Sequence, residues 1–276
     1  MPIGSWIPSV LVAVAKEPPF RRLAKPLIRA LPFSPAVKSL WDAVDRPQYL
    51  FGVLHAAAHA KDGATSVIEF GVAAGHGLLA LQRCAAAVER AAGVRVHVYG
   101  FDTGSGLPKG TGDYRDHSDY WQPGDFPMDV ENLRLRLHQH TELVLGDVAD
   151  TVMTQRFAAP VGFIAFDLDL YSSTVAALSI LRRSDVPRPR RIALYFDDIN
   201  GEHNHDSAGE LLAIDEFNRK VASTRIDRWR GLRDGRPFPE ASWLESMYLA
   251  HDLDAITSFV RNPRPPARVW RSKLVE

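Results

Sequence analysis

The chain has 276 residues, enough for one large α/β domain with appendages, and its 33 basic and 33 acidic side chains leave no global field to draw it to nucleic acid or a membrane surface. One cysteine, Cys84, excludes a disulfide framework and argues against a cysteine-based zinc site. The longest apolar runs, residues 7–15 and 50–58, fall well short of the ~20 residues a membrane span needs, and no cleavage site follows them, so a cytoplasmic protein without a stable membrane anchor is expected.

Residues 1–40 form a basic N-terminal extension. Lys16, Arg21, Arg22, Lys25, Arg29 and Lys38 face the single acid Glu17, and five prolines from Pro18 to Pro35 break the segment up. Phe20–Leu31 has the pattern of a basic amphipathic helix. With Trp6, Ile7, Leu11, Phe20, Leu23, Leu27 and Leu31 it is too apolar to stay in solvent, so it is expected to pack across a subunit interface in a homo-oligomer or to cover a substrate site. Trp41 to Ala60 reads as helix. His55 and His59 share one face at a metal-ligand spacing, but without an acid between them they read as half-buried histidines. Val67–Phe70 is a short buried strand, followed by Gly71, Gly75 and Gly77 and then a helix over Leu78–Val88 that carries Cys84 as a packing residue. This is the first half of a nucleotide-binding βαβ unit. Its spacing, Glu69-x-Gly71-x-x-x-Gly75, departs from Gly-x-Gly-x-x-Gly. An acid at that strand end repels a pyrophosphate and suits a ligand with ammonium and sulfonium charges.

The second strand, Arg95–Asp102, ends on an acid able to take ribose hydroxyls. Residues 109–128 follow without periodicity, a long loop rich in Asp, Tyr and Trp that reads as a lid. A helix is expected from Asp129 to His140, then a third strand closing on Asp147. Val161–Asp167 and Arg191–Asp197 are the fourth and fifth strands, with helices from about Ser173 and over Ala208–Val221. Arg225–Leu232 and Trp243–Ala250 are the last strands, and the tail (261–276) reads as a surface strap from Asn262 onward. Strands alternating with helices imply a mostly parallel sheet with its ligands at the carboxyl ends of the strands. Glu69, Asp102, Asp147, Asp167, Asp197 and Asp198 all fall at or near those ends.

If the fourth and fifth strands are neighbours, Asp167, Asp169, Asp197 and Asp198 share one pocket. Two like charges about 4 Å apart repel by roughly 4 kcal/mol at an effective dielectric of 20. A hard divalent cation such as magnesium is the natural compensation. Glu69-x-Gly71-x-x-x-Gly75 resembles the first motif of class I S-adenosylmethionine-dependent methyltransferases. Together with Gly100–Pro108, Phe166-Asp-Leu-Asp-Leu-Tyr-Ser-Ser-Thr174, Phe196-Asp-Asp198 and Asp215-Glu-Phe217, it makes residues 45–250 resemble the macrocin O-methyltransferase family. That resemblance implies a Rossmann-like α/β fold, a seven-stranded mostly parallel sheet with helices on both faces, in a domain spanning residues 41–260. It implies S-adenosylmethionine held by Glu69, Gly71, Gly75, Asp102 and Asp147, magnesium held by Asp167, Asp197 and Asp198, and Asp169 as general base toward a sugar hydroxyl of a small-molecule acceptor. Leu168 and Ile199 depart from the family's usual glycine and aromatic residue, and the loop and the basic N-terminus match no part of it. A catechol-type O-methyltransferase and a non-catalytic subunit of the same fold are the alternatives. The absent Gly-x-Gly-x-x-Gly argues against a nucleotide-dependent oxidoreductase. Tyr114, Tyr120 and Trp121 offer stacking faces to an acceptor, and His203 and His205 either contact it or form an exposed loop pair.

Overall fold

The structure is a computed structural model that describes residues 20–259. The apolar residues Trp6, Ile7 and Leu11 and the expected strap from Asn262 lie outside the described residues. One seven-stranded sheet forms the centre, with strands β1 (Ala64–Phe70), β2 (Arg95–Asp102), β3 (Thr141–Leu145), β4 (Val161–Phe166), β5 (Arg191–Phe196), β6 (Thr224–Arg228) and β7 (Met247–Asp252). Their order is β3-β2-β1-β4-β5-β7-β6. Pairs from β3 to β5 are parallel, and β7 runs antiparallel to both β5 and β6. The order reverses between β1 and β4, the topological switch point where open α/β sheets bind ligands.

The central strands are apolar on both faces because helices cover both. Along β1, β4 and β5, Val67, Phe163, Ala165, Ala193 and Tyr195 point to one side. There they meet α3 (Pro47–Ala58) and α4 (His76–Ala92). Ile68, Phe70, Ile164, Phe166, Leu194 and Phe196 point to the other, against α6 (Val148–Thr154), α7 (Tyr171–Leu178) and α8 (Gly209–Lys220). Four phenylalanines close the strands in register, with Phe70 opposite both Phe101 and Phe166, and Phe166 opposite Phe196. Their rings touch in sequence, with centroids 4.8 Å (Phe70–Phe101), 5.5 Å (Phe70–Phe166) and 4.6 Å (Phe166–Phe196) apart. The residue after each is Gly71, Asp102, Asp167 or Asp197.

Two short helices, α1 (Phe20–Ala30) and α2 (Pro35–Leu40), precede α3. They and the link between them dock through Ile28, Phe33 and Val37 on Trp41, Ala43 and Phe238. Arg21 donates to the Pro237 carbonyl at 2.8 Å. The outward face of α1 leaves Phe20, Leu23, Leu27 and the following Leu31 exposed.

Several boundaries differ from the sequence expectation. The helix read over Trp41–Ala60 begins only at Pro47, whose fixed φ and missing N–H suit a first helical turn. The helix read from Asp129 to His140 is α5, Val130–Leu135, capped by Asp129. It stops early because Gln82 on α4 captures the next stretch, accepting from His138 N–H at 2.7 Å and donating to Arg136 O at 3.1 Å. Trp243 belongs to a single 3₁₀ turn before β7, not to the strand. The helix read from Ser173 begins at Tyr171.

Candidate active site

A cleft of about 430 Å³ opens at the carboxyl ends of β1, β2, β4 and β5. All the residues singled out at the strand ends line it except Gly75, which caps α4 beside it: Glu69, Gly71, Asp102, Asp147, Asp167, Asp169, Asp197 and Asp198. Among the described residues lining it, Arg46 is the only Arg or Lys.

One half is the glycine turn. Gly71 has φ +85°, and a Cβ there would lie 1.6 Å from the Asp167 carbonyl oxygen, so the turn packs against the start of the β4 loop as only glycine allows. Gly77, in the first turn of α4, leaves room for the Glu69 carboxyl, which a Cβ would approach to 1.9 Å. Glu69 is fully buried and accepts from Tyr49 Oη at 2.5 Å through Oε1, while Oε2 has no partner among the described residues. Burial pushes its carboxyl up to about 8; the Tyr49 bond and Arg46 oppose that shift, and Asp167 and Asp197 add to it. Asp102 is committed to the loop. Its Oδ2 accepts from Val72 and Ala73 N–H, both at 2.9 Å, and Oδ1 from Gly104 N–H at 2.7 Å. Three of the four acceptor sites of the carboxylate are thereby used, and the one left is on Oδ1. Asp147 caps α6, accepting from Ala149 N–H at 2.8 Å, and stands at the cleft edge.

The other half is acidic. Asp167, Asp197 and Asp198 each place a carboxylate oxygen so that the three lie within 4.8 Å of one another. Asp169 lines the same wall in a left-handed conformation, φ +61°, with its N–H held by Asp198 Oδ2 at 3.0 Å. Tyr195 Oη donates to Asp197 Oδ1 at 2.5 Å, and the Arg46 guanidinium lies 3.6 Å from Asp167 Oδ2. Burial first, then the neighbouring carboxylates, raises the carboxyls of Asp167, Asp169 and Asp198 well above the usual range. One arginine does not neutralise such a set. Three convergent carboxylates with unmet charge are the donor chemistry of a hard divalent cation, so the residues present fit magnesium. The orphaned Glu69 oxygen and the tight Gly71 turn fit S-adenosylmethionine at the other end of the cleft.

Sequence reasoning missed Arg46, Tyr49, Tyr195 and Glu210. Tyr195 was within reach, because it shares a strand face with Asp197 two residues on. Arg46 and Tyr49 arrive from the start of α3 and Glu210 from the first turn of α8. The 109–128 loop is pinned at its middle. Buried Asp116 accepts from Thr111 N–H and, at 2.7 Å, from Ser172 N–H in the first turn of α7, and His117 is buried beside Gly209. The second half carries Asp125 and Phe126 to the cleft, whereas Tyr114, Tyr120 and Trp121, the stacking faces expected for an acceptor, do not line it. Tyr120 stacks on His203 with centroids 4.3 Å apart, and the His117 ring meets both His203 and His205 edge-on. His55 and His59 lie away from the cleft with ring centroids 4.3 Å apart, and Cys84 is buried in the α3–α4 core.

No protein-family model matches the chain, and no curated protein matches it. Solved structures do resemble it. The calicheamicin methyltransferase CalS11 aligns at 21% identity over 85% of this chain and 93% of its own, with a TM-score of 0.50. The apo form of CalS11, described as a TDP-rhamnose 3'-O-methyltransferase, aligns at 21% identity over 84% and 92%, with a TM-score of 0.44. The O-methyltransferase NovP aligns at 17% identity over 77% and 91%, with a TM-score of 0.47. The first of these and the strand order define the class: this is the Rossmann-like fold of class I methyltransferases.

Proposed function

We propose that the chain is a magnesium-dependent S-adenosylmethionine O-methyltransferase of the macrocin type. Its acceptor is a hydroxyl with a vicinal oxygen, on a sugar or a glycosylated natural product. A single observation carries this reading: the glycine turn with its orphaned Glu69 oxygen and the Asp167–Asp197–Asp198 cluster share one cleft, with Asp169 lining the wall beside that cluster.

When bound, S-adenosylmethionine supplies an electrophilic methyl group, and the cation makes an acceptor hydroxyl more acidic and fixes its place. The chain's own residues do the rest. Glu69, Gly71, Gly75, Asp102 and Asp147 hold the cofactor, and Asp167, Asp197 and Asp198 hold the cation. Asp169 would take the proton of the acceptor hydroxyl, leaving its oxygen free to receive the methyl group. Burial is the largest cause of the raised proton affinity of Asp169. Asp125 and Phe126 narrow the mouth and help exclude water. We further propose that the protein works in the cytoplasm and self-associates through the exposed face of α1.

The test is methyl transfer from labelled S-adenosylmethionine to glycosides with vicinal hydroxyls and, in parallel, to catechols. Transfer to the glycosides that EDTA abolishes and magnesium restores is expected. Transfer that persists in EDTA, an Asp197→Asn variant that turns over normally, or calorimetry showing no binding of S-adenosylhomocysteine would overturn the reading. Preference for catechols would replace the acceptor class.

A further inference from the structure

We infer that Glu210 is a positioning residue that fixes the acid cluster from behind, an inference that rests on the metal-dependent reading above. Glu210 lies in the first turn of α8 and has no exposed surface. Its Oε2 accepts the backbone N–H of Asp198 at 3.0 Å, while Oε1 has no partner among the described residues. Asp197 N–H bonds Phe166 O at 3.0 Å, the first bond past the β4–β5 ladder, so the next peptide, joining Asp197 to Asp198, has left the sheet. Glu210 holds that peptide, the one that sets the relative direction of two of the three cluster carboxylates.

The constraint passes further. Asp198 Oδ2 accepts Asp169 N–H at 3.0 Å, and Asp169 sits at φ +61°, a region that a non-glycine residue keeps only when its surroundings hold it there. A fixed Asp198 peptide therefore fixes Asp198 Oδ2, which helps fix the backbone of the proposed base. Two hydrogen bonds link α8 to Asp169 through Asp198. A buried carboxylate is a costly way to build a helix start unless it is partnered, and the partner found here is the ligand loop itself.

The variants are Glu210→Leu, which removes the acceptor atom at similar size, and Glu210→Gln, which keeps a carbonyl in its place. In the full chain, Mn²⁺ binding is followed by electron paramagnetic resonance and S-adenosylhomocysteine binding by calorimetry. Amide hydrogen exchange is read over peptides covering 167–172 and 196–200. Glu210→Leu is expected to weaken Mn²⁺ binding tenfold or more and to speed exchange in both peptides, with the cofactor product bound within twofold of wild type. Glu210→Gln is expected to stay within threefold of wild type for Mn²⁺. Wild-type Mn²⁺ affinity in Glu210→Leu overturns the inference. So does a Glu210→Gln variant that loses Mn²⁺, which shows that something other than the hydrogen bond matters and decides the case even if Glu210→Leu does not fold. A wild type that ignores Mn²⁺ sinks the metal reading together with this inference, whereas the two previous outcomes sink the inference alone.

Discussion

Asp102 and Asp169 show how one residue type serves two ends of a cleft. Asp102 accepts three backbone N–H groups that shape the glycine turn, so its loss acts both on the loop and on whatever ribose contact it makes. Asp102→Ala is expected to weaken S-adenosylhomocysteine by roughly 1–3 kcal/mol in calorimetry and to lower the melting temperature as well. Asp169 offers its side chain to the cleft and only its N–H to the scaffold. Asp169→Asn therefore is expected to keep cofactor and cation binding while turnover falls by about 10²–10⁴, because the amide fills the space but takes no proton. Equal losses in binding and turnover would show that Asp169 is structural. His55 gives a prediction away from the chemistry. Burial, and then His59, lower its pKa from 6.5 to about 4 in the folded chain. Between those values the unfolded chain holds the extra proton, so stability contributed by the neutral ring is present above pH 6.5 and lost as pH falls toward 4. His55→Gln is expected to flatten the fall in melting temperature over that window, and an unchanged acid limb would refute this.

At the scale of elements, the strands of the parallel core and the acids that end them were legible because their signals are local. A β strand buried on both faces is a continuous apolar run, and its end is marked by the first charged or glycine residue. Glu69, Asp102, Asp167 and Asp197 sit at such ends, which is why the cleft could be drawn from the sequence. What escaped came from tertiary competition. Gln82 cut α5 short by taking its backbone partners, and no pattern within 129–140 records that. Arg46 and Tyr49 reach the site from the start of α3 and Glu210 from the first turn of α8, and no local pattern marks any of them as part of it. The 109–128 loop was legible as a loop, but not as one whose middle is tied to α7. Asp116→Ala is expected to free it, raising hydrogen exchange across 109–128 while leaving the sheet protected; unchanged exchange would show that the tie is incidental.

At the scale of the molecule, α1 and the residue after it expose Phe20, Leu23, Leu27 and Leu31 at helical spacing, at 51, 70, 58 and 41% of their surface. If that stripe joins subunits, Leu23→Asp with Leu27→Asp is expected to reduce the mass seen by light scattering without disturbing cofactor binding; an unchanged mass would rule this surface out. A different consequence follows from the phenylalanine row that closes four strands. Those rings form an unbroken nonpolar slab of low dielectric next to the acid-bearing strand ends, on the α6–α8 side of the sheet. Field lines from the acids spread little into such material and emerge into the solvent-filled opening instead, so the slab acts as a lens that concentrates negative potential where a cation arrives.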